Sequence, residues 1–214
     1  PILAELLGPG FMDSIAVYRT AHRRYWSPGA RRSFELQREA ESYLFAWKDL
    51  TDGLLDVALR EGVDVRFDTE VVGAAVGHGR CEGLLLADGS RVEGDTMIAA
   101  DGHRSALTTG VDHARIQCPI AKRICEGVDS DFPGMEFFFV APGSVEPDFP
   151  AALAFIFPRG EGHAEVGFSI IAGALSDAQS AAMPSDDRML PFLQRLFDTY
   201  PVFRDRVRSA TWEF

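Results

Sequence analysis

Between Lys48 and Asp101 the spacing of apolar residues changes from a helical period to a strand-like one, which restricts the folds open to the chain. In "KDLTDGLLDVALRE" the apolar residues recur at helical intervals, and Gly62 follows where a helix C-cap is expected. Beyond Gly62, short apolar runs alternate with "GHGR" and "ADGS", which lie between them as hairpin turns do. The pattern predicts a helix over 48–61, a strand, a short antiparallel meander, and a last apolar strand that ends at Asp101.

The segments on either side of this region are rich in strand-forming residues. Residues 34–45 and the runs "GMEFFFVAPG" and "AALAFIFPRGEGHAEVGFSIIAGAL" place β-favouring residues between Gly and Pro turns, as a broad antiparallel sheet requires. A second amphipathic helix is predicted from the spacing of Leu190, Leu193, Leu196 and Phe197. The chain is therefore expected to have a mixed α/β fold of the α+β class.

Charge and composition exclude several classes of function. The chain has 214 residues and a formal net charge of −11, which argues against a nucleic-acid partner. Its densest basic stretch, "RTAHRRYW", is predicted to be a solvated surface. The five histidines and three cysteines show no metal-ligand spacing, and reduced cysteines favour the cytoplasm. No apolar run approaches the roughly 20 residues that span a membrane, although peripheral membrane contact stays open.

The stretch "MIAADGHRSALTT", residues 97–109, ends an apolar run in Ala-Asp-Gly and then turns polar. In nucleotide-binding α/β folds, ligands lie beyond the carboxyl ends of the strands. There Asp101 could accept a hydrogen bond from a ligand hydroxyl, and Gly102 would let the backbone pass close to the ligand. Taken alone, Asp-Gly is also a common turn, so the functional interpretation depends on the helix and the meander before it.

In that context, residues 48–105 resemble the middle of the flavoprotein hydroxylase and geranylgeranyl reductase superfamily, which includes electron-transfer-flavoprotein dehydrogenase-like proteins. In that superfamily an Arg lies at the start of a helix, an antiparallel meander follows, and an Ala-Asp-Gly segment contacts FAD. The segment "ALAFIFPRGEGHAEVGFSI" is similar to the reductase branch's Phe-Pro segment, Gly-rich turn and Val-Gly strand. The resemblance implies a partial FAD/NAD(P)-binding domain at residues 46–110. It also implies an antiparallel substrate-domain sheet from residues 1–45 and 111–200, with a tail at 201–214.

Carried over residue by residue, the resemblance implies three contacts with FAD. Lys48 stands at the place of the family's Arg, where a cation would meet the phosphates, but without the planar guanidinium fork. Val71 stands where the backbone meets the adenine. Asp101 and Gly102 match the Asp-Gly pair near the ribose and pyrophosphate. No catalytic side chain and no metal ligand is identified, because the flavin performs the redox chemistry.

Four phenylalanines in the aromatic runs are candidates for a hydrophobic substrate pocket, a packed core being the equal alternative. They are Phe137, Phe139, Phe155 and Phe157. The reductase segment also departs from the family's pattern. Leu153 and Phe155 stand where Tyr and Trp are usual, and Glu165 replaces an Asn before the Val-Gly pair. The substrate pocket is therefore expected to differ from that of an isoprenoid reductase.

The resulting hypothesis is a fragment of a cytoplasmic FAD-dependent oxidoreductase that resembles geranylgeranyl reductase. It would act on a hydrophobic or isoprenoid-type small molecule or pass electrons, with NAD(P)H as a candidate electron donor. One alternative is an FAD-dependent aromatic hydroxylase (monooxygenase), and another is a non-catalytic binding module that has lost the flavin. The start "PILAELLG" has no initiator Met, and no GxGxxG occurs in the chain, so an internal fragment is expected.

Overall fold

The structure is a computed structural model that describes residues 2–102, 105, 107, 120–128, 130–147, 149–171, 194–198, 200–207 and 211–212. The chain divides into two compact units. Unit 1 combines Pro1–Leu55 with Ile116–Phe214, and unit 2 is Asp56–Arg115. The assignment of one part of the chain to a flavin and another to a substrate stays a prediction.

Helices occupy a small part of the described chain. The bounds are α1 Ile2–Leu7, α2 Phe11–Ile15, α3 Trp47–Arg60 and α4 Pro201–Val207, and residues 194–198 are also helical. Helix α3 confirms the helix predicted over 48–61, and the left-handed φ of 80° at Gly62 ends it as expected. Of the second predicted helix, Leu190 and Leu193 lie outside the described residues. None of the described helices is long and apolar enough to cross a membrane.

The strands form one large sheet and one small sheet. In chain order they are β1 Ala16–Trp26, β2 Ser33–Phe45, β3 Val71–Gly77, β4 Arg80–Leu86, β5 Arg91–Glu93, β6 Ile120–Glu126, β7 Met135–Val140, β8 Ala152–Gly160, β9 His163–Ile170 and β10 Thr211–Trp212. The large sheet of unit 1 has seven strands in the order β10-β6-β9-β8-β7-β1-β2. Its pairs are antiparallel except β1 with β7, which is parallel. The α+β class and the broad, largely antiparallel sheet are confirmed.

One face of the large sheet forms the core of unit 1. Alternate residues of β7, β8 and β9 point to this face, and Phe138, Ile156 and Phe168 are at most 1% exposed. Leu196 of the helical residues 194–198 and Phe203 of α4 pack against them and are fully buried. The remaining side chains of these strands point to the opposite face of the sheet.

The predicted tail at 201–214 is wrong for the residues that the structure describes. Helix α4 contributes Phe203 and Val207 to the core, and Thr211–Trp212 adds the edge strand β10 by pairing with β6. Phe203 meets the ring of Phe138 edge-on at 5.3 Å between centroids. The sequence shows α4 as a short polar-looking stretch, and only the sheet below it explains why it is ordered.

A buried carboxylate holds α4 to the sheet. Glu136 of β7 is 0% exposed, and it accepts hydrogen bonds from Trp26 Nε1 at 2.9 Å and Ser130 Oγ at 3.0 Å. Arg24 of β1 approaches Glu136 Oε2 at 3.4 Å, and Arg206 of α4 approaches Oε1 at 3.0 Å. Because a buried charge is stable only when it is paired and hydrogen-bonded, these contacts fix β1, β7 and α4 together.

The same two arginines share a second, exposed carboxylate. Asp131 Oδ1 lies 3.0 Å from Arg24 Nη1 and 3.0 Å from Arg206 Nη2. The hydrogen bond from Arg24 lowers the pKa of Asp131. The "RTAHRRYW" stretch is therefore not simply a solvated surface, since the Arg24 side chain is only 13% exposed and serves the core of unit 1.

Unit 2 contains the three-stranded sheet β3-β4-β5. Both predicted hairpin turns are confirmed. In "GHGR", His78 and Gly79 both have positive φ, 52° and 77°, as a tight hairpin turn of type I′ requires. In "ADGS", Gly89 has a φ of 84°, and Ser90 N donates to Asp88 Oδ1 at 2.8 Å.

Two other strands predicted for this region are wrong. Residues 63–67 and 94–100 have no strand conformation, and Phe67 and Ile98 are 66% and 84% exposed. A strand exists through hydrogen bonds to a neighbouring strand, and within the described residues none pairs with either run. An apolar run in a sequence indicates burial and extension, but it does not supply the partner.

Candidate functional site

The face of the large sheet that lies opposite the core carries a continuous group of aromatic rings. Strand pairing places Tyr25 beside Phe137 and Phe137 beside Phe155 on this face. Tyr25 stacks on Phe34 and on Phe137, each with ring centroids 5.0 Å apart. Phe157 meets Phe137 at 5.3 Å and stacks on Phe155 at 4.6 Å. These five residues define the aromatic face.

The four phenylalanines predicted to line a substrate pocket all point to this face, in different degrees of burial. Phe155 is 5% exposed and acts as packing beneath its neighbours, whereas Phe139 is 41% exposed. Phe137 and Phe157 are half-buried. Both sequence interpretations, pocket and core, thus describe part of the arrangement, and ligand binding by these rings stays a prediction.

A groove of about 1030 Å³ runs along one end of this surface, within unit 1. The end of β2 and the start of α3 form one wall, with Tyr43 and Trp47, and the strands β6–β9 form the floor. Met135 and Phe157 give the floor an apolar part. The volume is at the upper end of the range of small-molecule sites, about 300–1,000 Å³.

The floor of the groove also has a charged part, centred on Glu165 of β9. Lys122 Nζ donates to Glu165 Oε1 at 3.0 Å, and Arg159 Nη1 donates to Oε2 at 3.3 Å. The side chains of Arg159 and Glu165 are only 12% and 16% exposed, while Lys122 is 57% exposed. In the sequence, Glu165 stood out only as a departure from the family's pattern, and Lys122 and Arg159 were not predicted as residues of the site. Cross-strand pairing, which sets Lys122 opposite Gly167, brings the cations to Glu165.

The residues predicted to contact the cofactor lie in two units. Val71 begins β3 and is half-buried, and its backbone pairs with Leu86. Asp101 and Gly102 are exposed at the end of the "MIAADG" run. These three residues belong to unit 2, whereas Lys48 belongs to unit 1.

Gly102 and Lys48 differ in how well they fit a negatively charged dinucleotide. Gly102 has a left-handed φ of 81°, and among the described residues other than its chain neighbours no atom lies within 4 Å of the position a Cβ would take, which leaves room for a ligand beside its backbone. The Lys48 side chain is 80% exposed and forms an ion pair with Asp52, which raises the pKa of Lys48. Because Asp52 already neutralises it, Lys48 fits a phosphate-binding role less well than Gly102 fits close contact with the cofactor.

The described side chains offer little acid–base or nucleophilic chemistry of their own. Burial raises the pKa of the Cys125 thiol to about 11, so this cysteine stays neutral and unreactive near pH 7. Within the described residues no group of three or more His, Cys, Asp or Glu side chains could hold a metal ion. Cys118 lies outside the described residues. The arrangement is suited to binding and orienting a ligand.

The fold defined by these two sheets is shared with flavin-dependent enzymes. A geranylgeranyl bacteriochlorophyll reductase-like protein from Thermoplasma acidophilum matches with a TM-score of 0.71 at 21% identity, over 96% of this chain and 53% of its own. The myxobacterial chondrochloren halogenase CndH, an FAD-dependent halogenase, matches with a TM-score of 0.71 at 18% identity, over 98% and 49%. The flavin-dependent brominase Bmp2 matches with a TM-score of 0.69 at 13% identity, over 100% and 53%.

The predicted resemblance to this superfamily is thus confirmed at the level of the fold. The chain spans about half the length of the solved structures it matches. No protein-family model matches the sequence, and no curated protein matches it either. At these identities the likeness shows how the chain folds, and its activity is a matter for proposal.

Proposed function

We propose that this chain is part of an FAD-dependent oxidoreductase and that the groove holds an apolar substrate. The observation that carries the proposal is an aromatic groove of about 1030 Å³ in a fold shared with flavin-dependent enzymes. The edge-to-face rings of Phe137 and Phe157 offer a rigid apolar surface at low cost in side-chain entropy, and Phe157 lines the groove. Such a surface suits a hydrophobic molecule that must be held away from water while it reacts.

In this proposal FAD supplies the redox chemistry, and the residues of the chain bind, orient and exclude water. Asp101 accepts a hydrogen bond from a ribose hydroxyl, and Gly102 lets the pyrophosphate approach the backbone. Val71 lies beside the adenine. Lys48 is the weakest of the four candidates, because its ion pair with Asp52 competes with any phosphate.

The substrate class that we propose is a hydrophobic or isoprenoid-type small molecule, reduced with electrons that NAD(P)H supplies in the cytoplasm. The Phe-Pro segment in β8 and the apolar part of the groove, with Met135 and Phe157, support this class. A second candidate is oxidation or halogenation of an aromatic ring. It is supported by the equal fold similarity of the halogenase CndH and the reductase-like protein, each with a TM-score of 0.71.

The first test measures FAD binding by the full-length parent protein. Asp101→Ala should weaken FAD affinity by about tenfold to a hundredfold, because a hydrogen bond to a charged group is worth about 1.5–3 kcal/mol. The matched control is Asp95→Ala, another exposed carboxylate of unit 2, which should leave the affinity unchanged. Equal affinity in the Asp101→Ala variant and the wild type would make Asp101 a turn residue. A parent protein that is folded but binds no FAD would support the non-catalytic alternative.

The second test addresses the substrate class and needs no flavin. The uncharged fluorescent probe N-phenyl-1-naphthylamine should bind the chain saturably, and geranylgeraniol should displace it from the aromatic groove. Phenol at the same concentration should displace it poorly, since it covers only a small part of so long a site. Displacement by phenol with no effect of geranylgeraniol would favour the aromatic-ring chemistry of the second candidate.

A further inference from the structure

The charged part of the groove distinguishes it from a plain apolar site. Lys122 and Arg159 both bind Glu165, so two positive charges face one negative charge. The net charge of this cluster is therefore +1, and it stays +1 when Arg123 and Glu126, which also line the groove, are counted, in a chain whose formal net charge is −11. A net positive charge at the floor of a groove attracts anions.

The geometry of the cluster also leaves hydrogen-bond donors for a ligand. The contacts with Glu165 use one N–H of Lys122 and one N–H of Arg159, whereas an ammonium has three donors and a guanidinium five. The Arg159 side chain is only 12% exposed, so its surroundings restrict the planar fork before a ligand arrives. A guanidinium restricted in this way matches the two oxygens of a carboxylate, phosphate or sulfonate.

The apolar part of the groove lies next to these cations. Phe157 and Arg159 both belong to β8, and both line the groove together with Met135 and Tyr43. A ligand that fills the groove therefore meets an apolar part, formed by Met135, Phe157 and Tyr43, and a positive charge next to it.

We propose that the groove recognises an amphipathic anion: an apolar body with one carboxylate, phosphate or sulfonate group, which Arg159 and Lys122 bind. Glu165 pairs with both cations and limits the charge of the site to +1. This inference deepens the proposed function, because it rests on the same groove and names the chemistry of one end of the substrate. Its test needs neither flavin nor turnover, so that failure of FAD binding leaves it decidable.

A pair of fluorescent probes with the same rings separates the anionic group from the apolar body. 8-Anilinonaphthalene-1-sulfonate carries a sulfonate that N-phenyl-1-naphthylamine lacks. The wild-type chain should bind the sulfonate about tenfold more tightly at low salt, as one hydrogen-bonded charge pair allows, and this preference should shrink at high salt. Equal affinity for the two probes would overturn the proposal.

Two substitutions and a matched control test whether Arg159 and Lys122 cause the preference for the sulfonate probe. Arg159→Met and Lys122→Met should each reduce sulfonate binding severalfold and leave the uncharged probe unaffected. The matched control, Arg66→Met, removes an arginine that is ion-paired with Asp64 on unit 2, and it should change neither affinity. Lys122 is half-exposed, so its replacement keeps the test decidable if Arg159→Met does not fold. An equal loss in Arg66→Met would show that only the net charge matters and would contradict the proposal.

Glu165→Gln gives the sharpest outcome, because the proposal and a merely structural role predict opposite signs. Removal of the carboxylate raises the local charge from +1 to +2, so the sulfonate should bind about twofold to fivefold more tightly. If Glu165 only kept the groove in shape, its loss would weaken both probes together. Weaker sulfonate binding in a folded Glu165→Gln variant would overturn the proposal.

Two competitors with the same head group decide whether the apolar body is needed. Decanoate should displace the sulfonate probe, and acetate at the same concentration should not. Displacement by both to the same extent would mean that the cluster takes a free anion, and it would contradict recognition of an amphipathic molecule.

Discussion

Glu136→Ala is expected to lower the free energy of unfolding by about 3–5 kcal/mol, as breaking a buried charge network does. The carboxylate is 0% exposed and receives hydrogen bonds from Trp26 and Ser130. Its loss leaves Arg24 and Arg206 with like charges in a mostly buried position. It also leaves the indole N–H of Trp26 without its acceptor. These costs add to the desolvation of the two guanidinium groups.

Urea denaturation followed by tryptophan fluorescence measures this change in unit 1. The three tryptophans of the chain, Trp26, Trp47 and Trp212, all belong to that unit. The matched control is Glu35→Ala, which removes another carboxylate from Arg24, at 2.8 Å, but one whose side chain is 58% exposed. It should cost less than about 1 kcal/mol, as surface ion pairs do. Equal costs in the two variants would contradict a special role of burial.

A triple substitution separates the stability that the Arg24–Glu136–Arg206 network contributes from the free energy lost when only one of its members is removed. Replacing Arg24, Glu136 and Arg206 together by Met, Leu and Met removes the buried charges and leaves only the exposed carboxylates of Glu35 and Asp131, which water can solvate. Because apolar replacements of similar volume often match a buried ion pair in stability, this variant should lose less stability than Glu136→Ala alone. A larger loss would mean that the network itself contributes the stability.

The local elements of the fold could be predicted from the sequence because each depends on nearby residues. The helical spacing from Leu50 to Leu59 and the Gly62 cap are local features, and helix α3 follows them. The two hairpins of unit 2 depend on turn residues with positive φ, such as His78 and Gly79. The strand over 34–45 follows from β-favouring residues and is β2.

Long-range pairings decided the features that the sequence did not predict. The runs around Phe67 and Ile98 have strand-like composition, yet strand conformation requires a partner that composition does not specify. Glu136 lies in the apolar run "GMEFFFVAPG", and nothing local shows that two distant arginines, Arg24 and Arg206, neutralise it. The parallel contact between β1 and β7 joins residues more than 100 positions apart in the chain.

In the candidate site, too, the features that depend on local sequence were predicted and those that depend on long-range pairing were not. The aromatic runs were enough to propose Phe137, Phe139, Phe155 and Phe157 as either a pocket or a packed core, and all four point to one face, with ligand binding still a prediction. The cations of the groove, in contrast, lie on β6 and β8, and they meet only because β9 lies between these strands. The predicted FAD contacts rest on resemblance and stay predictions, with the exposed backbone of Gly102 in their favour.

Phe138 and Phe139 are consecutive on β7 and point to opposite faces, so a pair of alanine substitutions tests the division of the sheet into a core face and an aromatic face. Phe138 is 0% exposed and packs against Trp26 at 5.9 Å and Phe203 at 5.3 Å between ring centroids. Phe138→Ala should lower the free energy of unfolding by about 3–5 kcal/mol, since it opens a cavity that rigid neighbours do not fill.

Phe139→Ala should cost no more than about 1 kcal/mol, because this side chain is already 41% exposed and leaves no closed cavity. Urea denaturation monitored by both far-UV circular dichroism and fluorescence is the measurement, with coincident transitions as the check on two-state behaviour. If the two variants lost equal stability, something would have to cover Phe139 as closely as α4 covers Phe138. The part of the sheet around Phe139 would then be interior surface, and the division into a core face and an exposed opposite face would be wrong at this position.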